Sequence, residues 1–438
     1  MSEWVTEIKQ SEFETLTESG NVILDFYSTD CPPCEALAPK FESIAELFHP
    51  YVKFLKIYRQ ENRELAAKLG VSSSPSLLFF KEGQPVFRVL TGGILKSQII
   101  EGLANLLGRE KTEEILSQRK KKTIEADLAV LGGGPAGMSA AIYAAQAKLK
   151  TYVVDTAVPG GQVKNTHLIS NYPGTEKPIS GYELAHRMLR QAEEAGANFI
   201  SAVDITDLKL SENRSEIYID DDIVLRARSV ILATGAEPRA LGVPGEKELR
   251  GHGIHYCATC DGKYYEGREI VVIGGGNSAV EESLFLARFA SRVTIVHQFD
   301  TLQANQKAQD ASFAEKKIDF IWSHEPRGFE KRGDRMILTL ENMKTGERTA
   351  IETSGVFVFV GMVPNIPKTE GLRTASNGYI ETDEDMRTNI PGVFAAGDVR
   401  QKKIRQAATA VSDGCIAAIM AERWIKENVQ KEAMYGKS

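Results

Sequence analysis

Four of the five cysteines in this 438-residue chain fall in two C-x-x-C pairs, Cys31/Cys34 and Cys257/Cys260; the fifth, Cys415, stands alone. Two intervening residues place both sulfurs of a pair within bonding reach at the start of a helix, whose N-terminus favours the thiolate of the first cysteine. Thiol–disulfide exchange needs a thiolate attacker, a sulfur target and a second thiol to resolve the mixed disulfide. Cys31 is therefore the expected attacker and Cys34 the resolver. Half of a zinc site is the competing reading. The chain has only seven histidines, and none of them, nor a further cysteine, lies near enough in sequence to complete a four-ligand set, so no metal is expected. A lone cysteine is most often a small buried hydrophobe, and Cys415 is read that way.

Two glycine turns form the other chemical signal. Leu128-Ala129-Val130-Leu131 leads into Gly132-Gly133-Gly134-Pro135-Ala136-Gly137, and Ile270-Val271-Val272-Ile273 leads into Gly274-Gly275-Gly276-Asn277-Ser278-Ala279. In such a turn the first glycine makes the bend and the second admits a pyrophosphate close to the backbone. A small third residue lets the helix pack on the strand. The phosphate then meets unpaired N–H groups at a helix N-terminus. Two copies predict two nucleotide-binding domains. The second strand of the first copy ends in Asp155, a carboxylate able to bond a ribose hydroxyl; that of the second ends in His297, with no carboxylate there.

The elements around these residues predict an α/β protein. Val22–Tyr27 and Val52–Ile57 read as strands, and apolar residues at Leu37, Phe41, Ile44, Ala45 and Phe48 mark a helix after Cys34. Ser76–Phe80 and Val86–Leu90 flank Glu82-Gly83 as a hairpin, and Ile94–Leu107 is an amphipathic helix. Residues 1–107 thus form one domain. Residues 108–123, with the basic run Arg119–Lys122, read as a solvated linker or, less simply, as a patch for an acidic partner. The net charge of −6 leaves no footprint for nucleic acid, and no apolar run reaches membrane-spanning length. Met1-Ser2-Glu3-Trp4 does not read as a signal peptide, so the cytoplasm is the expected compartment.

Residues 124–432 resemble low-molecular-weight thioredoxin reductases. The stretches that carry the likeness are Gly132–Gly137, Gly160-Gly161-Gln162, Ala233-Thr234-Gly235, Cys257-Ala258-Thr259-Cys260-Asp261-Gly262, Gly274–Ala279, Gly392–Asp398 and Arg405-Gln406-Ala407. The resemblance implies an FAD domain in two segments, 124–239 and 366–438, with a pyridine-nucleotide-type domain, 240–365, inserted between them. It places Asp398 near the ribityl chain and Arg405, Gln406 and Ala407 around the isoalloxazine. Gly161, Gln162, Asn171, Thr234, Gly235 and Gly397 are further FAD contacts on this reading, and Gly274, Gly276, Asn277, Ser278 and His297 are nucleotide contacts. It makes Cys260 the sulfur facing the flavin, Cys257 the one that exchanges with a partner, and Asp261 the general acid/base, with a helix-capping carboxylate as the alternative for Asp261. It also implies a homodimer whose inserted domain rotates, with Glu237-Pro238 and Met362-Val363-Pro364 as candidate hinges.

Residues 1–107 look like thioredoxin through Asp25-Phe26, Cys31, Cys34, Lys56, Pro75 and Gly92. The resemblance implies a cis bond before Pro75 and a buried proton acceptor at Asp25. Asp30, Pro32 and Pro33 depart from the usual Trp and Gly-Pro: Pro32 lacks an N–H that could stabilise a thiolate, and Asp30 adds a negative charge. The domain order resembles the alkyl hydroperoxide reductase flavoprotein, whose N-terminal region is longer.

The expected activity is that of a flavin-dependent thioredoxin-disulfide reductase with its own carrier. Electrons would pass from donor to FAD, to Cys257/Cys260, to Cys31/Cys34, then to protein disulfides or a peroxidase. NADPH-using members carry His-Arg-Arg and a further Arg at the end of the second strand; this chain has His297-Gln298-Phe299-Asp300-Thr301-Leu302-Gln303. NADH is therefore favoured over NADPH. The alternative is a flavoprotein that takes electrons from ferredoxin or another donor. If residues 108–123 were a flexible coil, their reach would be on the order of 20–25 Å, and tethering would make the second exchange intramolecular.

Overall fold

The computed structural model describes residues 3–435, leaving out Asp30, Lys120, Thr166, His167, Leu168, Ser170 and Asn213, and the side chains of Thr259, Cys260 and everything from residue 431 on. The expectations for the sulfur of Cys260 and for Asp30 lie outside the described residues. The chain contacts fall into two compact units: residues 1–161, 187–235 and 366–438 make the first, and 162–186 with 236–365 make the second.

The first unit opens with a six-stranded mixed sheet, ordered Val5–Glu7, Lys53–Tyr58, Asn21–Tyr27, Ser76–Lys81, Gln84–Pro85, with Leu90–Thr91 also paired to Ser76–Lys81. Val22 to Phe26 are buried in succession rather than alternately, as expected of a strand covered on both faces. Helix Pro32–Phe48 buries Leu37, Phe41, Ile44, Ala45 and Phe48 against one face, the stripe its spacing dictates. Glu82 and Gly83 both take positive φ, 48° and 76°, the geometry of a tight two-residue hairpin. The expected return strand is interrupted: pairing stops after Pro85, Phe87 packs edge-on against Phe79, and the ladder resumes at Leu90.

Most of the described residues in 108–123 lie in regular elements. Gly108, at φ 85°, ends one helix and starts another, Arg109–Leu116, whose Thr112 and Ile115 are buried; Ile115 joins the core around Phe41. Strand Lys122–Leu131 follows almost at once, so the reach of a free tether does not describe this segment.

That strand belongs to a seven-stranded sheet, ordered Ile205–Lys209, Ser215–Ile219, Ile223–Leu232, Lys122–Leu131, Thr151–Asp155, Asn198–Ser201, with Val393–Ala395 against Ile223–Leu232. Its core is rich in alanine. Ala136, Ala140, Ala141, Ala144 and Ala145 of helix Pro135–Gln146 face Ala410, Ala417, Ala418 and Ala421 of helix Ala407–Tyr435. Small side chains let the two helices lie close together.

The second unit holds a five-stranded parallel sheet, ordered Ile254–His255, Gly355–Val358, Glu269–Ile273, Arg292–His297, Ile318–Trp322, and an antiparallel meander of His324–Arg332, Arg335–Asn342 and Arg348–Thr353. The two chain crossings pair with each other: Ala236–Pro238 runs antiparallel to Met362–Pro364, with Glu237 opposite Val363. Residues 162–186, including Gln162 and Asn171, group with this unit. Among the described residues, no helix is long and apolar enough to cross a membrane.

Candidate functional site

Cys31 and Cys34 form a disulfide with Cα atoms 5.2 Å apart. Cys31 is the N-cap of helix Pro32–Phe48, and its sulfur accepts from the backbone N–H of Cys34 at 3.3 Å. Pro32 and Pro33 have no N–H to offer, so the first amide able to serve that sulfur is the one at Cys34. Cys34 is buried and Cys31 half-exposed, which suits Cys31 as the attacked or attacking sulfur. The Ser74–Pro75 peptide is cis, and the Ser74 carbonyl lies 3.6 Å from the Cys31 sulfur.

Asp25 sits on the central strand of the six-stranded sheet, paired in register with Lys56. Its Oδ1 is buried without a hydrogen-bond partner. Burial pushes this carboxyl up to about 7, with Lys56 pulling the other way. A group balanced there gives and takes a proton at neutral pH, which is what a thiol shuttling between thiolate and disulfide needs.

The second C-x-x-C opens the short helix Ala258–Asp261, with Cys257 as its N-cap, and Cys257 is disulfide-bonded. Asp261 Oδ2 lies 3.0 Å from His255 Nδ1, and His255 Nε2 lies 2.7 Å from the Tyr265 hydroxyl. His255 is 9% exposed and Tyr265 8%. Burial, then the Asp261 charge, pushes the Tyr265 phenol up to about 12. Tyr265 thus donates to His255, and His255 donates to the Asp261 carboxylate. Gly262 is needed for packing, since a Cβ there would come within 2.8 Å of Leu286 on helix Asn277–Leu286.

In the first unit the glycine turn is built as its spacing demands. Gly132 has φ 106°, and a Cβ at Gly137 would collide with the Gly132 carbonyl oxygen. Gly134 caps helix Pro135–Gln146, and Pro135 takes the first helical position, where a missing N–H does no harm. Gly161, at φ 56°, lies against Gly134. The Asp155 carboxylate accepts from Gly133 N–H at 2.7 Å and Ala157 N–H at 2.8 Å, so it braces the turn. Thr234 and Gly235 follow strand Ile223–Leu232, Gly235 at φ 70°.

Opposite this turn, Gly397 lies over Ala136 and donates to Asp413 Oδ2 at 3.0 Å. Asp413 also holds Arg400 at 2.9 Å and Lys402 at 3.0 Å. Asp398, displaced upward by burial, has an Oδ1 that makes no hydrogen bond, although Lys402 Nζ stands 3.4 Å away. The Arg405 Nε is likewise buried and unbonded, with its guanidinium 4.1 Å from the centre of the Tyr379 ring. Gln406 and Ala407 lead into helix Ala407–Tyr435. Two orphaned polar atoms beside a phosphate-type turn fit a large polar cofactor such as FAD, whose hydroxyls and ring would satisfy them. Sequence reading missed Lys402 and Asp413, which lack a motif of their own.

In the second unit, Gly274 has φ 130° and Gly276 caps helix Asn277–Leu286. Asn277 Oδ1 accepts from Asn305 N–H at 2.7 Å, and Ser278 follows it in the helix. His297 ends its strand with its ring against Gly275, where a Cβ would clash, and its Nε2 is buried without a partner. Burial lowers its pKa, favouring neutral imidazole. Lys344 pairs with Asp300 at 2.9 Å; it lies far along the chain and was not foreseen. Cys415 corrects an expectation: it is free but half-buried, with Tyr143 hydrogen-bonded to it. Its helix runs along the alanine-rich core, and only part of this side chain is covered. Among the described residues, no His/Cys/Asp/Glu cluster could hold a metal.

Comparison with known proteins agrees with this architecture. Residues 126–414 match the family described as pyridine nucleotide-disulphide oxidoreductase, and residues 4–105 match the thioredoxin family. A thioredoxin reductase of Bacillus subtilis is 43% identical over 69% of this chain and 95% of its own length. A protein of Clostridium pasteurianum described as a "34.2 kDa protein in rubredoxin operon" is 46% identical over 70% of this chain and 99% of its own. The crystal structure of thioredoxin reductase from Streptococcus pyogenes superposes with a TM-score of 0.60 at 41% identity, covering 69% of this chain and 99% of that one. With its glycine turns, its reductase-type C-x-x-C and a thioredoxin domain in front, this chain is an oxidoreductase that belongs to the pyridine nucleotide-disulphide oxidoreductase family.

Proposed function

We propose that the protein is an FAD-dependent thioredoxin-disulfide reductase that carries its own thioredoxin domain and passes electrons from Cys257/Cys260 to the Cys31–Cys34 disulfide. The observation that carries this reading is the pairing, in one chain, of a thioredoxin-type disulfide, in a domain whose buried Asp25 has an Oδ1 without a hydrogen bond, with a second, reductase-type C-x-x-C followed at once by Asp261. FAD, when bound, supplies the two-electron relay between nucleotide and dithiol. Gly132, Gly134, Pro135, Ala136, Gly137 and Asp155 would hold its diphosphate and ribose, and Asp398, Arg405, Gln406 and Ala407 its ribityl and ring. Asp261, oriented by His255, would hand the leaving thiolate of the Cys257/Cys260 pair a proton that it takes from His255 Nδ1–H, with the Tyr265 hydroxyl re-protonating His255 at Nε2. Cys257 attacks the partner disulfide, Cys31 receives that attack, and Asp25 takes or returns the proton at Cys34. External targets are protein disulfides or a peroxidase, the compartment is the cytoplasm, and the working form is a homodimer.

NADH is the favoured donor. No arginine stands at 298–303 to clamp a 2′-phosphate, and Asp300 lies there instead. Its partner Lys344 is a single exposed point charge, weaker for phosphate than an arginine fork. The missing arginines equally favour the second reading, in which a ferredoxin-type protein donates. Anaerobic titration with NADH, NADPH and reduced ferredoxin, followed by flavin absorbance, tests both. Prompt bleaching by NADH supports the first reading; bleaching by ferredoxin alone replaces it with the second.

A further inference from the structure

Lysine is rarely buried unless it is paired, yet Lys40 and Lys96 are 7% and 5% exposed. Neither belongs to the disulfide machinery. Lys40 lies on helix Pro32–Phe48, and Lys96 begins helix Lys96–Leu107. Both reach out of the thioredoxin domain and end on the FAD-type domain of the same compact unit.

The Lys40 ammonium has three N–H donors, and three carbonyls meet it: Ile94 at 2.7 Å, Ser201 at 3.3 Å and Ala202 at 2.6 Å. The first is in its own domain; Ser201 ends strand Asn198–Ser201 of the neighbouring sheet and Ala202 follows it. Lys96 pairs with Asp222, also nearly buried, at the start of strand Ile223–Leu232. The Gly93 turn closes the contact, since a Cβ there would press on Val158 at 3.3 Å.

The receiving surface is made of two turns. Asp220 and Asp221, at φ 50° and 63°, form the hairpin turn between strands Ser215–Ile219 and Ile223–Leu232, and Ala202, at φ 54°, follows strand Asn198–Ser201. Asp220 Oδ1 accepts from Asp204 N–H at 2.8 Å, so the two loops that carry these residues are tied together. Their carboxylates also work to keep Lys40 charged against the pull of burial. An incidental contact between exposed surfaces would bury neither two lysines nor a complete set of donor partners.

We propose that Lys40, Lys96 and the Gly93 turn form a dedicated docking face that seats the thioredoxin domain on the loops around Ala202 and Asp222 of the FAD-type domain, so that the carrier works from a fixed seat and not from a free tether. The seat adjoins the rim of the disulfide: Thr91 pairs with Ser76, which sets Gly92 and Gly93 beside Pro75. Cys31 stays half-exposed with the seat engaged. Incoming disulfides therefore approach Cys31 from the side that the seat leaves open.

Hydrogen exchange on the full-length, flavin-loaded protein tests the seat without relying on turnover. Lys96→Glu and, separately, Lys40→Met are expected to speed amide exchange at residues 92–97 and 199–204 by at least about tenfold. The charge swap, Lys96→Glu with Asp222→Lys, should bring exchange back to within about threefold of the parent. Strand Asn21–Tyr27 is the reference for folding. Unchanged exchange at the seat in both single variants overturns the proposal, as does a swap no better than Lys96→Glu alone. Loss of protection in Asn21–Tyr27 in both single variants also overturns it, because the lysines would then be holding up the domain and not its seat.

Discussion

The two C-x-x-C segments share a spacing and differ in how a carboxylate is kept beside them. At Cys31/Cys34 the helix runs for nearly five turns, and Asp25, on the central strand, is buried with an Oδ1 that makes no hydrogen bond. At Cys257 the helix is a single turn, and Asp261 is drawn into a chain with His255 and Tyr265. An unpartnered buried carboxyl has its charge penalised, so it stays poised near neutrality. A partnered one is held in a fixed orientation. The contrast teaches that a common dithiol spacing does not fix the setting of the carboxylate that accompanies it, which is desolvated in one segment and hydrogen-bonded to a histidine in the other.

The sharpest break in this comparison is to remove one dithiol. Cys31→Ser with Cys34→Ser should cut turnover with protein disulfides by more than about 100-fold, while anaerobic flavin reduction by the donor proceeds as in the parent; turnover at the parental rate would show that Cys257/Cys260 serves targets directly. Next in size, Asp261→Asn should slow reduction of the Cys31–Cys34 disulfide in single-turnover mixing by roughly 100-fold, the lower end of general acid–base effects. His255→Phe should slow it by less, about tenfold, since Asp261 is kept but no longer oriented. Tyr265→Phe should fall below that, which ranks the relay from the thiol outward.

Asp25 sharpens the other side. Its folded value of about 7 lies above its ordinary 3.8. Below about pH 4 the carboxyl is neutral in both folded and unfolded states and costs nothing. As pH climbs toward 7 the unfolded chain ionises first, so stability falls and then levels off. Asp25→Asn should therefore stabilise the thioredoxin domain increasingly between pH 4 and 7, by at most on the order of 4 kcal/mol. Hydrogen exchange of strand Ser76–Lys81 at pH 5 and pH 8, each against the parent, reads this; equal gains at both would mean that the charge is not the cause. The smallest effect is expected at the nucleotide site, where Lys344→Ala should raise KM for NADPH about threefold more than for NADH in steady-state assays.

Much of the reductase was legible in one dimension. The strand–glycine–helix units and both C-x-x-C pairs are local: the steric demand at Gly132 and Gly137, or the bonding reach of Cys31 and Cys34, is satisfied within a few residues. The return strand after Glu82-Gly83 was only half legible, because its break depends on Phe87 meeting Phe79 across the sheet. Lys402 and Asp413 escaped notice altogether. Lys402 follows Asp398 by only four positions, but the fold is what brings Asp413, a helix residue, to Gly397 and to Lys402.

By itself, then, the order of residues determined the α/β class, the doubled nucleotide turn and the two dithiols, since each follows from backbone sterics and short-range spacing. Tertiary structure alone decided which carboxylate stays unpartnered, which is wired to a histidine, and where two lysines are buried. The two lysines find partners more than a hundred positions away, and although His255 and Asp261 are close in sequence, their burial, like that of Asp25, is set by what packs over them. The helix Arg109–Leu116 makes the same point: a polar stretch that reads as a tether becomes part of a core once Ile115 finds Phe41.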